Sequence, residues 1–148
     1  MKILAVKQPW ASLIAEGHKD CEVRSKHTYV RGRIAIYASR SEPSDEDMAS
    51  MEAYFTNYLT VPVPEEFKKE NLPRGKILVT VDLIGSDLFS KKDWDDEKAW
   101  HIAPDSYYKP GRTYRWYLSD VEPLDEPIPF KMPKGAVVWA NADIEELV

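Results

Sequence analysis

The stretch Gln8–Arg24, QPWASLIAEGHKDCEVR, holds a helix start, a helix stop and a charged strand within seventeen residues. Pro9 suits the first turn of a helix, where its missing N–H costs nothing. Trp10, Leu13 and Ile14 follow at i, i+3 and i+4 and form one apolar stripe. Gly17 is placed to end the helix in a left-handed conformation. Lys19-Asp20-Cys21-Glu22-Val23-Arg24 then reads as extended chain. Strand side chains alternate faces, so Asp20, Glu22 and Arg24 share one side and Cys21 and Val23 the other. The spacing predicts a short helix whose end delivers Lys19, Glu22 and Arg24 to one edge of a sheet. Stability alone does not require so dense a cluster of unlike charges.

Outward from this stretch the chain alternates short elements. Residues 2–7 (KILAVK) read as a strand ahead of the helix, and Ser25–Gly32 as a polar connection carrying Lys26, His27, Tyr29 and Arg31. Arg33–Ser39 reads as a strand with Ile34, Ile36 and Ala38 on one face. Ser44 starts the longest predicted helix, with Asp45, Glu46 and Asp47 in its first turn, where acidic residues suit the helix dipole. Its predicted buried stripe is Met48, Met51, Phe55, Tyr58 and Leu59. Val61-Pro-Val-Pro64 cannot continue a helix. Residues 76–84 (KILVTVDLI) are mostly apolar on both faces and read as a central strand. Ser90 caps a second short helix, with Trp94 and Trp100 available for packing. Tyr114–Leu118 reads as a strand, Leu124–Pro133 as irregular because of its prolines, and Ala136–Ala140 as the last strand. Five or six short strands broken by short helices define an α+β domain with a mixed, barrel-like sheet.

Bulk properties narrow the function classes. A chain of 148 residues reads as a single domain spanning 1–148, large enough to bury roughly 70% of its unfolded surface. The single cysteine, Cys21, excludes an internal disulfide, and with histidines only at 18, 27 and 101 no metal site is expected. No apolar run approaches the roughly 18 residues of a membrane span, and no signal peptide is evident, so a cytoplasmic protein is expected. The net charge is −5, but its distribution is uneven. Residues 1–40 hold eight Lys/Arg against three Asp/Glu, a balance of +5, and residues 41–148 a balance of −10. A basic first quarter can form a local positive patch whatever the total. The six glycines are not grouped, so there is no phosphate loop or dinucleotide fingerprint, and no nucleotide cofactor is expected. Ser12, Ser39 and Cys21 stand in no nucleophile motif.

The charged trio carries the functional reading. A carboxylate beside Lys19 can hold that lysine's proton or take one from water, and Arg24 can grip a phosphate or a carbonyl oxygen. The same residues also make sense as a surface ion-pair network worth under about 1 kcal/mol per pair. Tyr29, Tyr37, Tyr107, Tyr108 and Trp116 can stack bases if exposed, or they pack the core. Trp10 belongs to the core stripe or rims a cleft.

Several of these residues together resemble a known family. QPWA at 8–11, the pattern G-x-K-x-x-E-x-R at Gly17, Lys19, Glu22 and Arg24, and Arg31-Gly32-Arg33 before a strand ending Ala38-Ser39 are similar to the ASCH domain. So are Pro73-Arg74-Gly75 before the 76–84 strand, and Tyr114–Ser119 with Pro127-Ile-Pro129 and Gly135…Trp139. The resemblance spans nearly the whole chain and implies a PUA-like β-barrel of mixed short strands with flanking short helices, a fold linked to RNA binding. It implies a charged cleft beside the barrel, with Lys7, Trp10, Lys19, Glu22, Arg24, Tyr29, Arg31 and Ser39 as nucleic-acid-binding candidates. Single-stranded RNA or a nucleotide-like ligand is the expected partner, DNA a further one, and a monomer the expected state. Some relatives hydrolyse acetylcytidine with the motif lysine and a threonine. Glu22 holds the threonine's place here, so Lys19 and Glu22 are catalytic candidates only if the chain is a hydrolase acting on RNA or a modified nucleoside. A third reading is a protein-interaction domain that uses the acidic helices 44–59 and 90–99.

Overall fold

The computed structural model describes residues 1–135 and 138–147. Its frame is one sheet of six strands in the order β2-β5-β4-β3-β1-β6. These are β1 (Lys2–Val6), β2 (Cys21–Arg24), β3 (Gly32–Ala38), β4 (Lys76–Leu88), β5 (Tyr114–Pro129) and β6 (Trp139–Asn141). Strand β1 pairs parallel to β3 and the other pairings are antiparallel, so the sheet is mixed as expected. The sheet curls until strands from its opposite ends touch. Arg24 on edge strand β2 donates to the Ala5 carbonyl of β1 at 2.6 Å. Trp116 of β5 stacks on Trp139 of β6, centroids 6.0 Å apart and planes 10° from parallel. The result is a half-barrel with a side-chain seam. The predicted last strand began at residue 136; residues 136 and 137 lie outside the described residues, and β6 begins at Trp139.

The half-barrel interior explains the alternation in the sequence. Leu4, Val6, Ile34, Ile36, Val79, Val81 and Leu83 point inward, where each fully buried side chain contributes roughly 1.5–3 kcal/mol. Helix α1 (Trp10–Ala15) covers one side with Trp10, Leu13 and Ile14, all buried. It ends as the sequence predicts: Gly17 takes φ +80°, and the His18 and Lys19 amides donate back to the Leu13 carbonyl. The outer face of β1, β3 and β4 buries Ile3, Ala35, Tyr37 and Ile77 in a second cluster. This two-sided burial is why 76–81 lacks a polar face. Helices α3 (Lys91–Asp96) and α4 (Lys98–His101) build a third cluster, in which Cys21 and Val23 meet Phe89, Trp94 and Ala103. No helix of the described residues is long and apolar enough to cross a membrane.

Four expectations need correction. The helix begun at Ser44 is α2 (Asp45–Ala53), and Tyr54–Tyr58 continues it as a π-helical turn. The Leu59 amide donates to Tyr54, five residues back. The wider turn rotates later side chains away from the α-helical stripe. Tyr54 and Phe55 are therefore buried, while Tyr58 and Leu59 are exposed. Ile84 is also exposed, because β4 outruns β3 after the Gly32–Leu83 pairing and continues beside β5 alone. Trp100 is exposed because α4 turns His101, not Trp100, toward the core. The stretch Leu124–Pro133 is irregular only from Phe130 on: β5 continues to Pro129. Its register jumps from Pro123 opposite Val79 to Ile128 opposite Ile77. Residues 124–127 thus form a bulge, a position that does not need the missing proline N–H.

The shifted stripe sets an expected outcome. Phe55→Ala should cost about 3–5 kcal/mol and Tyr58→Ala less than about 0.5 kcal/mol, read from urea midpoints. Equal losses at both positions would contradict the π-turn register.

Candidate functional site

The seam of the half-barrel is also where the charges gather. A cleft of about 420 Å³ opens there, walled by Lys7, Trp10, Glu22, Arg24, Ser39 and Tyr107 among others. Strand β1 delivers Lys7 just beyond its last residue, α1 delivers Trp10, β2 delivers Glu22 and Arg24, and the end of β3 delivers Ser39. A concavity of this size falls in the range of small-ligand sites.

Arg24 is held on three sides. Its Nε and Nη2 donate to Glu22 Oε2 at 2.9 and 2.7 Å, Nη2 also donates to the Ala5 carbonyl, and the guanidinium lies 5.5 Å from the centre of the Trp116 ring. Its third nitrogen, Nη1, makes no hydrogen bond to any described residue. Glu22, 5% exposed, receives Arg24 on Oε2 and the Val23 amide on Oε1 at 3.2 Å. A buried carboxylate bonded in this way positions a guanidinium and leaves lone pairs for a further donor.

Tyr107 comes from far along the chain to complete the wall. Its hydroxyl donates to Asp47 at 2.8 Å and accepts from the Trp10 indole N–H at 3.2 Å. Burial, and then the neighbouring Asp47 carboxylate, push this phenol well above its usual pKa; the Trp10 hydrogen bond opposes the rise. Tyr107 thus stays a neutral hydroxyl.

The predicted residues separate into three groups. Lys7, Trp10, Glu22, Arg24 and Ser39 share the cleft. Lys19 sits behind it, 2% exposed. Its ammonium donates to the His101 carbonyl and lies 5.1 Å from the Trp10 ring centre, with no carboxylate in ion-pair reach among the described residues. Tyr29 and Arg31 lie apart on the connection after β2. Tyr29 is 90% exposed against His27, and the Arg31 guanidinium donates to the Thr28 and Val30 carbonyls. Lys19 lies over one face of the Trp10 ring, and Tyr107 packs at right angles to it. Tyr37 and Trp116 are buried. Ser41 and Tyr107 also line the cleft. Tyr107 was legible in the sequence only as one of several aromatics, because nothing near the motif marks a residue 97 positions from Trp10 as its partner.

Two further groups bear on chemistry. Burial pushes the Cys21 thiol up to about 11, against the pull of Lys19, so it remains protonated and is a poor nucleophile. His101 stacks on Trp94 at 3.8 Å. Its Nδ1 accepts from the Ala103 amide at 3.0 Å, so Nε2 carries the proton and donates to the Trp94 carbonyl at 2.9 Å. Among the described residues no cluster of His, Cys, Asp and Glu is arranged to hold a metal ion.

These features define a curled mixed sheet with a ligand-sized, charged cleft at its seam. The ASCH domain profile matches residues 4–128, and the chain belongs to the ASCH domain family. Over 94 residues it is 38% identical to Activating signal cointegrator 1 of Homo sapiens and 37% identical to that of Mus musculus. Those residues make up 64% of this chain, and the chain spans only 15% of the length of either relative. Among solved structures, the ASCH protein of Zymomonas mobilis aligns at TM-score 0.54 and 14% identity, covering 85% of this chain and 71% of that one. A point mutant of the same protein aligns at TM-score 0.58 and 16% identity, covering 98% and 89%.

The buried imidazole predicts a pH response. Burial pushes the His101 pKa from 6.5 down to about 4; its hydrogen bond to Trp94 opposes that fall and the Lys19 charge adds to it. The unfolded chain therefore takes up a proton that the folded chain refuses, and stability falls as pH drops from about 6.5 toward 4. Urea midpoints at pH 5 should lie below those at pH 7, and the His101 ring proton resonances should not titrate above pH 5. A normal titration near 6.5 would contradict this environment.

Proposed function

We propose that the chain is a nucleic-acid-binding domain that takes single-stranded RNA, or a nucleotide within it, into the seam cleft. The observation that carries this reading is Arg24: three fixed contacts, an Nη1 unengaged by any described residue, and Lys7 on the wall of the same ligand-sized concavity. An arginine whose geometry is already paid for in the free protein loses little entropy on gripping a phosphate. Lys7 adds a second cation, Ser39 a hydroxyl, and Glu22 an acceptor for a base amine. Tyr29, exposed beside the basic connection, offers a stacking face for a neighbouring base, and Arg31 adds charge there. DNA carries the same phosphates and binds by the same groups. The domain acts as a monomer in the cytoplasm.

Hydrolysis of RNA or of a modified nucleoside needs a base or nucleophile facing the cleft. The Lys19 ammonium points to a backbone carbonyl behind Trp10, and Glu22 is engaged with Arg24. Binding is therefore the reading we adopt over a Lys19–Glu22 catalytic pair.

Fluorescence anisotropy with a labelled ten-nucleotide single-stranded RNA tests it. Binding should be micromolar at 50 mM salt and about tenfold weaker at 200 mM, as expected for two or three phosphate contacts. Lys7→Gln, an exposed change, should weaken binding severalfold and lower the slope of log K against log salt by about 0.7. No binding at micromolar protein, or binding indifferent to salt and to Lys7, would refute the proposal.

A further inference from the structure

Helix α1 faces two cavities. Trp10 walls the seam cleft; Ser12, Ala15 and Glu16, on the opposite side of the helix, wall a larger groove of about 640 Å³. The buried Leu78 and Val79 form its apolar floor, and the β5 bulge supplies Leu124 and Pro127 as one side. Glu16 and Glu66 stand at its rim. Neither carboxylate has an ion-pair partner among the described residues, although the neighbouring lysines are paired elsewhere: Lys68 with Glu65 and Lys69 with Glu42. Burial, and then repulsion from Glu66, raise the Glu16 carboxyl pKa. The two acids thus act on each other, and His18, whose pKa burial lowers, is the ionisable group that also feels Glu66.

A second observation concerns the groove's inner wall. Ser12 is 8% exposed. Its oxygen accepts from Gln8 Nε2 at 2.8 Å and its amide donates to Gln8 Oε1 at 3.0 Å. The hydroxyl proton itself has no acceptor among the described residues, although Ser12 lines the groove. The hydroxyl thus keeps its proton free on the groove wall, where an incoming carbonyl oxygen can accept it.

The geometry points to this groove as a docking site for an arginine-bearing segment of a partner polypeptide. The aliphatic stem lies on Leu78, Leu124 and Pro127, the guanidinium meets Glu16 and Glu66, and a backbone carbonyl accepts from Ser12. Each element answers a feature of the groove: apolar floor, unpaired acids, unpaired hydroxyl. A nucleic acid does not fit, because its phosphates face two carboxylates. A free polyamine satisfies the acids but has no acceptor for Ser12. This inference does not depend on nucleic-acid binding at the seam, and the two sites carry opposite charge.

Nitrogen–proton correlation spectra of the full chain test it, with acetyl-Leu-Arg-Leu-amide as the probe. Saturable millimolar binding is expected, with shifts at the amides of Ala15, Glu16, Glu66 and Asn71. The norleucine analogue of the probe and agmatine should each bind at least tenfold more weakly. The double change Glu16→Gln with Glu66→Gln should weaken the arginine peptide at least tenfold, and the same spectra report whether that variant is folded. Ser12→Ala, with both acids intact, should cost severalfold. No shifts at 10 mM peptide, equal binding of the norleucine peptide, equal binding of agmatine, or binding untouched by the double change would each overturn the proposal. RNA affinity of the double variant should match the unmodified chain, so failure at one site is distinguishable from failure at the other.

Discussion

The hydrogen bond from Arg24 to the Ala5 carbonyl joins two strands that lie far apart in the sheet order. Strand β2 is an edge, and β1 lies near the other edge. An exposed edge carries unpaired backbone groups and invites association. Here the sheet curls until a side chain, rather than a backbone ladder, bridges the gap, and the Trp116–Trp139 stack reinforces it. A seam closed by side chains leaves room that a closed barrel would not. The cleft is that room, and the group closing the seam also presents a cation to it.

This arrangement requires Arg24 to be rigid, and the surrounding residues make it so. Glu22 is buried and spends one oxygen on the guanidinium; a single exposed pair of this kind would contribute little to stability. Behind the cleft, Lys19 is buried with its charge resting on the His101 carbonyl and the Trp10 ring. A desolvated cation over an indole is worth up to about 2 kcal/mol, and it holds the wall from the rear. The far side of α1 is anchored by Gln8. Its buried side-chain amide joins the Pro73 carbonyl to Ser12 and so fixes the helix between both cavities.

Much of this was legible in the residues. Trp10, Leu13 and Ile14 gave the helix its face, Gly17 its end, and the mostly apolar run at 76–84 gave β4 its place in the middle of the sheet, although Ile84 is exposed. Glu22 and Arg24 emerged as neighbours from strand alternation alone. Other features depended on information no local pattern holds. Lys19 shares the motif with Glu22 yet turns inward, because its long stem finds Trp10 and a carbonyl supplied by residue 101. Tyr58 and Leu59 fit a 3.6-residue stripe and were exposed by a π-turn that periodicity does not encode. The prolines of 124–133 argued for irregular chain, but a bulge lets Pro127 and Pro129 lie within a strand. Tyr107 and the Glu16–Glu66 groove are products of tertiary folding, assembled from segments that share no motif.

The account turns on a nucleotide entering the seam beside Arg24. The most direct measurement is the Trp10 indole N–H resonance, whose proton is donated to Tyr107 in the cleft wall, followed together with the Arg24 Nε–H resonance as short single-stranded RNA is added. The account predicts that both signals move along one saturable curve. Binding that saturates while both signals stay still would mean that the ligand sits elsewhere and that the seam is only structural.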